Sequence, residues 1–253
     1  MRSSDVSVVL VHGAWADGSR LVEDHPAAGS RGRRGVCAVA AADPRSGTTL
    51  QRSTAPWSEC RVRSSSLATR YGGAVMGGTH SDKVRALVYV AALAPDAGET
   101  VADMFYRTEA HPQAPKLAPD EHGLIYLPEA AFGAAFAQNA GAEELAVLAA
   151  VQRPISPACI TVALPRPLWK DRPAWYLVAE QDRMIAQKNQ RFMAERMRAR
   201  VRSQAVDHTA ILTAPAVVLD LLHEAIARGP RRRRGITRIH TCAGLLKLQE
   251  IQP

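Results

Sequence analysis

No stretch of this chain approaches 18 consecutive apolar residues, so a membrane-spanning helix is not expected. Cysteine is scarce and poorly spaced for chemistry. Cys37, Cys60, Cys159 and Cys242 stand far apart, which argues against a zinc framework or a disulfide scaffold. The histidines show no ligand spacing either, and neither a metal nor a cofactor is expected. Met1-Arg2-Ser3-Ser4-Asp5 leads straight into a strand-like run without the pattern of a signal peptide, so the expectation is a soluble cytoplasmic protein.

The chain does have length and apolar content enough for one substantial core, with 253 residues of which 47% are hydrophobic. Its formal charge of +8 is unevenly placed. Residues 20–70 hold nine arginines against four acids, and residues 228–253 hold six arginines and one lysine against one acid. The remainder is mildly acidic, so the basic balance belongs to two segments rather than to a domain. Arg231-Arg232-Arg233-Arg234 reads as a solvated tail, not as a nucleic-acid site.

Val6-Ser7-Val8-Val9-Leu10-Val11 is a β-branched run ending at His12-Gly13-Ala14-Trp15, the pattern of a buried parallel strand and a tight glycine turn. From residue 20 to residue 69 the patterning fails. Ser, Arg, Pro and Gly abound there, and only Val36-Cys37-Ala38-Val39-Ala40 looks like a strand. A linker of that length inside a compact domain is itself unusual. Patterning returns at Tyr71. Residues 83–92 form a core strand and 93–99 a loop, and helical spacing around 129–138 and 143–151 suits a small helical lid over about 97–170. Residues 175–179 read as a strand ending in Glu180-Gln181-Asp182, and 189–198 as a helix. Residues 201–206 then lead to Asp207-His208-Thr209-Ala210, and 215–227 form an amphipathic helix. Residues 229–253 are a basic tail with no docking face, expected to be disordered. Alternation on this scale predicts one α/β domain over 1–228, its mostly parallel sheet covered by helices on both faces.

The segment Leu67-Ala68-Thr69-Arg70-Tyr71-Gly72-Gly73-Ala74-Val75 bears most directly on function. A Gly-x-Ser-x-Gly turn between a strand and a helix is a nucleophile elbow. Tyr71, Gly72 and Gly73 keep its second half, but Ala68 stands at the first glycine and Arg70 at the serine. A permanently charged guanidinium cannot attack an acyl carbon.

With that departure, several runs resemble the α/β-hydrolase-fold esterases. They are Val8-Val9-Leu10-Val11-His12-Gly13-Ala14-Trp15-Ala16-Asp17-Gly18-Ser19, Tyr71-Gly72-Gly73-Ala74-Val75, residues 84–99, Arg153-Pro154-Ile155-Ser156, residues 175–182 and His208. The closest likeness is to small bacterial enzymes related to plant esterases and hydroxynitrile lyases, and it covers residues 6–19 and 71–227. It implies an α/β-hydrolase fold, small-molecule ester substrates and a Ser-His-Asp mechanism. Asp182 and His208 follow late strands in the order this fold uses, which suits the orienting carboxylate and the general base. Asp207 is a weaker competitor for the acid. The N–H groups of Ala14, with Trp15 as its neighbouring candidate, and of Tyr71 would form the oxyanion hole. His12 reads as structural, and His80, His111, His122, His223 and His240 as surface residues. Ser64, Ser65 and Ser66 precede the turn and carry little weight as substitute nucleophiles.

Before Tyr71 such enzymes would carry Gly-Pro-Val-Val-Leu-Val-Gly-His-Ser, where this chain has Val62-Arg63-Ser64-Ser65-Ser66-Leu67-Ala68-Thr69-Arg70. Written in GC-rich codons and read one base later, the first peptide becomes the second at every position. Residues from about 20 to 70 are therefore read as an out-of-frame translation, a frameshift in the gene or in its sequence. That reading implies irregular or poorly packed chain over residues 20–70. It also implies that serine at position 70 would not by itself restore activity, because Ala68 and a missing strand misplace the turn. The alternative is a non-catalytic protein of this fold in which Arg70 binds a small anionic ligand.

Residues 229–253 are expected to be dispensable for stability. A chain truncated after Arg228 should melt at nearly the temperature of the full chain. A drop of several degrees in a calorimetric scan would show that the tail packs on the domain.

Overall fold

The computed structural model describes residues 7–16, 36–39 and 64–229. Strands β1 (Ser7–Val11), β2 (Val36–Val39), β3 (Ser64–Arg70), β4 (Val84–Ala92), β5 (Ala174–Ala179) and β6 (Arg200–Gln204) form one six-stranded sheet in the order β2-β1-β3-β4-β5-β6. Every pairing is parallel. Val, Leu, Tyr and Ala fill β4 and β5, and both strands are buried almost end to end, as a parallel sheet covered on both faces requires.

Alternation along the strands sends side chains to two cores. Val9, Val11, Leu87, Tyr89, Tyr176 and Val178 belong to one. Helix α1 (Gly72–Gly77) and α2 (Val101–Phe105) follow β3 and β4, and both bury residues in that core. Phe132 and Phe136, from the π-helical turn Phe132–Phe136, and Leu148, from α3 (Ala142–Val151), join it. Beyond β5 come α4 (Gln187–Arg196) and, after β6, α5 (Pro215–Arg228). Pro215 opens α5 where its missing N–H is harmless. Val218, Leu221, Leu222 and Ala225, spaced as one helical face, are buried with Val8, Leu10, Leu67, Val88, Val90, Trp175 and Leu177 in the second core. Each large aliphatic side chain buried there contributes roughly 1.5–3 kcal/mol.

The strand at 64–70 corrects one half of the expectation of irregular or poorly packed chain, since the chain there is regular. Parallel pairing engages backbone groups, which are the same in every sequence, and β3 is held on both edges by β1 and β4. Its small side chains fit the slot. Leu67 enters the second core and Ala68 the first, while Ser65, Ser66 and Thr69 are buried among them. The strand is therefore present but poor in apolar contact. The short run at 36–39 is also a strand, paired with β1 in register from Val8↔Val36 to Val11↔Val39. Segments 17–35 and 40–63 and the tail beyond 229, where the remaining expectations of irregular or disordered chain fall, lie outside the described residues.

Strand order reverses between β1 and β3, so their carboxyl ends diverge into loops that open a crevice, the usual ligand position in such sheets. At the end of β3 the pairing with β4 skips a residue. Thr69 pairs with Val90 and Arg70 with Ala92, leaving Ala91 bulged at φ 45°. Just past the bulge, the Leu93 N–H donates to the Arg70 carbonyl at 2.8 Å.

Two glycines in α1 test this packing against each other. A Cβ on Gly73 would lie 2.4 Å from the Leu93 carbonyl oxygen, whereas one on Gly77 would meet nothing closer than 3.6 Å. Gly73→Ala is expected to cost about 3 kcal/mol through forced backbone displacement. Gly77→Ala should be neutral or stabilising by up to about 1 kcal/mol, through reduced unfolded-state entropy. Urea midpoints of the two variants check the contrast.

Candidate active site

The crevice is built from two loops pressed together. A Cβ on Gly13 would sit 2.6 Å from the Arg70 Cβ, and one on Gly72 would sit 2.7 Å from the Val11 carbonyl oxygen. Only glycine fits at either position. Within this contact β3 must end and α1 begin in about one residue, and Arg70 takes up the turn in the left-handed region at φ 56°. Trp15 across the crevice is also left-handed, at φ 55°. For long side chains this conformation costs on the order of 1 kcal/mol or more and persists only where the surroundings impose it. The turn 68–73 thus has the strained strand-to-helix shape of a nucleophile elbow, with Arg70 at its apex.

The Arg70 side chain is buried, with 6% of the residue exposed. Its guanidinium lies 4.3 Å from the centre of the Phe136 ring, and its only hydrogen bond among the described residues is a long one, 3.4 Å from Nη1 to the Ala14 carbonyl. Nε is buried with no partner among the described residues. Burial lowers the Arg70 pKa to about 10, a shift partly opposed by the negative charges of Asp182 and Asp207. No described carboxylate forms an ion pair with it.

The loops after β5 and β6 bring Asp182 and His208 together. His208 Nδ1 lies 2.8 Å from Asp182 Oδ2, with both side chains buried. Three further donors hold the carboxylate: Met184 N–H at 2.8 Å and Ile185 N–H at 2.9 Å on Oδ1, and Gln190 Nε2 at 2.8 Å on Oδ2. With Nδ1 facing a carboxylate, that nitrogen carries the proton, which leaves Nε2 as the acceptor in the neutral ring. Phe136 packs against His208 with ring centroids 5.5 Å apart.

Asp207 is engaged elsewhere. It accepts from Thr209 N–H, Thr209 Oγ1, Thr213 Oγ1 and Asn139 N–H, and so ties the β6 loop together. His12 is buried, with Nδ1 2.9 Å from the Gly13 carbonyl. His80 and His122 are exposed and His111 is half-buried. His223, on α5, is likewise half-buried. His240 lies outside the described residues. Among the described residues no three His, Cys, Asp or Glu side chains gather as metal ligands, and no helix is long and apolar enough to cross a membrane.

Arg70, His208, Ala14, Trp15 and Tyr71 all line one cavity of about 50 Å³, room for a few water molecules. Its other walls are apolar and come from the segment between β4 and β5 and from Met184 and Ile185. Trp15 Nε1 donates to the Ile125 carbonyl at 3.0 Å, and Tyr71 Oη donates to the Cys159 carbonyl at 3.1 Å. Burial pushes the Tyr71 phenol well above its ordinary pKa, so it stays a neutral donor. Gln190 and Phe136, which hold Asp182 and flank His208, escape sequence reading. Gln190 shows only as a polar residue on the inner face of an amphipathic helix, and Phe136 as one apolar residue among many.

The sequence profile described as "Alpha/beta hydrolase family" matches residues 8–221. Comparison with curated proteins finds no matching sequence. Among solved structures, polyneuridine aldehyde esterase is similar, with 15% identity over 87% of this chain and 99% of that one and a TM-score of 0.63. A pyrethroid hydrolase from Sphingobium faniae JZ-2 shares 16% identity over 89% of this chain and 98% of its own, at a TM-score of 0.62. Tomato methylketone synthase I shares 14% over 87% and 97%, at 0.68. At such identities the likeness is one of fold.

Because Arg70 is charged, strained and short of partners, Arg70→Met is expected to raise the unfolding free energy by about 1–3 kcal/mol near neutral pH. The folded-state pKa is depressed, so the penalty for burying the charge is fully present below about pH 10. The gain from Arg70→Met should accordingly be flat up to about pH 9, which denaturant titrations of both proteins would measure.

Proposed function

The chain belongs to the α/β-hydrolase family, whose profile spans residues 8–221, and on that premise we propose that it keeps most of the apparatus for hydrolysing small apolar esters but lacks the nucleophile. The observation that carries this reading is the buried His208–Asp182 hydrogen bond of 2.8 Å on the same cavity as Arg70, at the apex of the strained turn. In such a site the apex hydroxyl attacks the ester carbonyl while the histidine takes its proton, and the carboxylate fixes the ring and stabilises the imidazolium. His208 and Asp182 fill the last two roles. The N–H groups of Ala14 and Tyr71 are the candidates to receive the oxyanion, and both residues line the cavity.

Arg70 supplies no nucleophile. Removing the nucleophile from such a triad costs on the order of a millionfold in turnover, so the chain as written is expected to be inactive. The out-of-frame reading of residues from about 20 to 70 gives this replacement an origin, since one shifted frame, entered by a base slip near the start of the segment and left by a compensating slip near its end, accounts for both Ala68 and Arg70. Sequencing the coding DNA across codons 15–75 tests that origin directly.

Because β3 is in place and the turn is formed, the expectation for Arg70→Ser changes from the one drawn from sequence alone. The variant should hydrolyse p-nitrophenyl acetate or butyrate at least about a hundredfold above background. Adding His208→Ala or Asp182→Asn should remove that gain. The parent chain should show none. Ester turnover by the parent that is lost on His208→Ala would mean that another residue supplies the nucleophile. A folded but inert Arg70→Ser protein would mean that the turn and the His208–Asp182 pair are not aligned for chemistry.

A further inference from the structure

His208 stands on the loop between β6 and the helical turn Ala210–Thr213, outside any strand or helix. Its hydrogen bond to Asp182 can orient the ring only if that loop is itself held in place. Asp207, the preceding residue, is fastened through both of its oxygens. Oδ1 accepts from Thr209 N–H at 3.0 Å, Thr209 Oγ1 at 3.2 Å and Thr213 Oγ1 at 2.6 Å, which closes the loop around residue 208. Oδ2 accepts from Asn139 N–H at 3.0 Å, in a segment 68 residues away.

Asn139 follows the π-helical turn Phe132–Phe136, and the same short stretch also grips the loop after β5. Phe136 packs on the His208 ring, with centroids 5.5 Å apart. Gln138 Nε2 donates to the Gln181 carbonyl at 2.7 Å, and Arg183 Nη1 donates to the Ala134 carbonyl at 2.7 Å. Residues 134–139 thus hold the neighbours of Asp182 on both sides and the neighbour of His208 on one.

We propose that Asp207 is a positioning residue for His208: it ties the β6 loop to residues 134–139, which sets the imidazole between Phe136 and Asp182. The inference rests on the reading of His208 as the general base, and it gives Asp207 a task other than that of the orienting acid.

The partners explain why an acid stands at this position. Asp207 is fully buried, and each of its four partners donates to it. Two of them are backbone N–H groups, one on each oxygen, and an N–H cannot accept. Asparagine would turn its NH2 toward one of these in either orientation, so Asp207→Asn breaks the fastening while keeping size and shape. A carboxylate also costs more to bury than an amide, a cost that mere space-filling would not require.

The test reads the tautomer of His208 in the full chain, by long-range proton–nitrogen correlation NMR at mildly alkaline pH, with His208→Ala assigning the signals. The hydrogen bond to a carboxylate decides which ring nitrogen carries the proton, so a correctly placed ring holds the Nδ1–H form alone. The parent should show that single form, and Asp207→Asn a mixture of both. Thr213→Val, which leaves the carboxylate but removes its 2.6 Å donor, should also give a mixture. Thr213→Ser keeps the hydroxyl and should match the parent. In the Arg70→Ser background, Asp207→Asn should lower kcat for p-nitrophenyl acetate at least about tenfold, with KM kept within about twofold.

Both tautomers in the parent, or the single parental tautomer in a folded Asp207→Asn protein, would overturn the proposal. So would a Thr213→Val chain that matches Thr213→Ser, a comparison that decides the matter if Asp207→Asn does not fold. A lowered melting temperature with kcat unchanged would reduce Asp207 to a structural residue and overturn it too. An inert Arg70→Ser protein would end the hydrolytic reading alone, because the tautomer measurements need no turnover.

Discussion

The contact between the loops that end β1 and β3 is the constraint on which the rest of the site depends. Gly13 faces the Arg70 side chain with no room for a Cβ, and Gly72 faces the Val11 and His12 carbonyls in the same way. Two neighbouring parallel strands are thereby forced to finish at the same level and turn apart at once. The left-handed backbone at Arg70 and Trp15, the helix that starts at Gly72 and the crevice between the loops all follow from that meeting. The β5 and β6 loops then need only reach over the sheet edge for His208 and Asp182 to face the apex.

Within that frame the site divides into a part that is over-determined and a part that is short of partners. Asp182 accepts from four donors and His208 is fixed through it. These groups resist rearrangement, because loss of any one bond would strand a buried polar atom. Arg70 is the opposite case, a buried cation whose Nε has no partner among the described residues.

Much of this arrangement is legible in the amino-acid order. Strand runs such as Val84–Ala92, the glycines of the two turns, and Asp182 and His208 each placed just after a strand carry signals within a few residues of themselves. What is hidden depends on distant neighbours. Ser65, Ser66 and Thr69 have neither the alternation nor the apolar run of a core strand, and β3 exists because β1 and β4 offer it two unpaired edges. Asp182 is preferred over Asp207 by its place at the end of a strand, and it is Asp182 that hydrogen-bonds to His208, but the donors that hold each aspartate come from distant segments. Gln190 enters through the winding of a helix, and Phe136 through the irregular turn that carries it.

The bulge at Ala91 gives the crevice a mechanical linkage. Leu93, the first residue beyond β4, lines the cavity and grips the Arg70 carbonyl with its N–H. It also begins the long segment that roofs the pocket. Whatever enters the cavity and shoulders Leu93 aside therefore tugs on the peptide of the apex itself, through a tether one hydrogen bond long. Cargo size would be felt as torsion at residue 70.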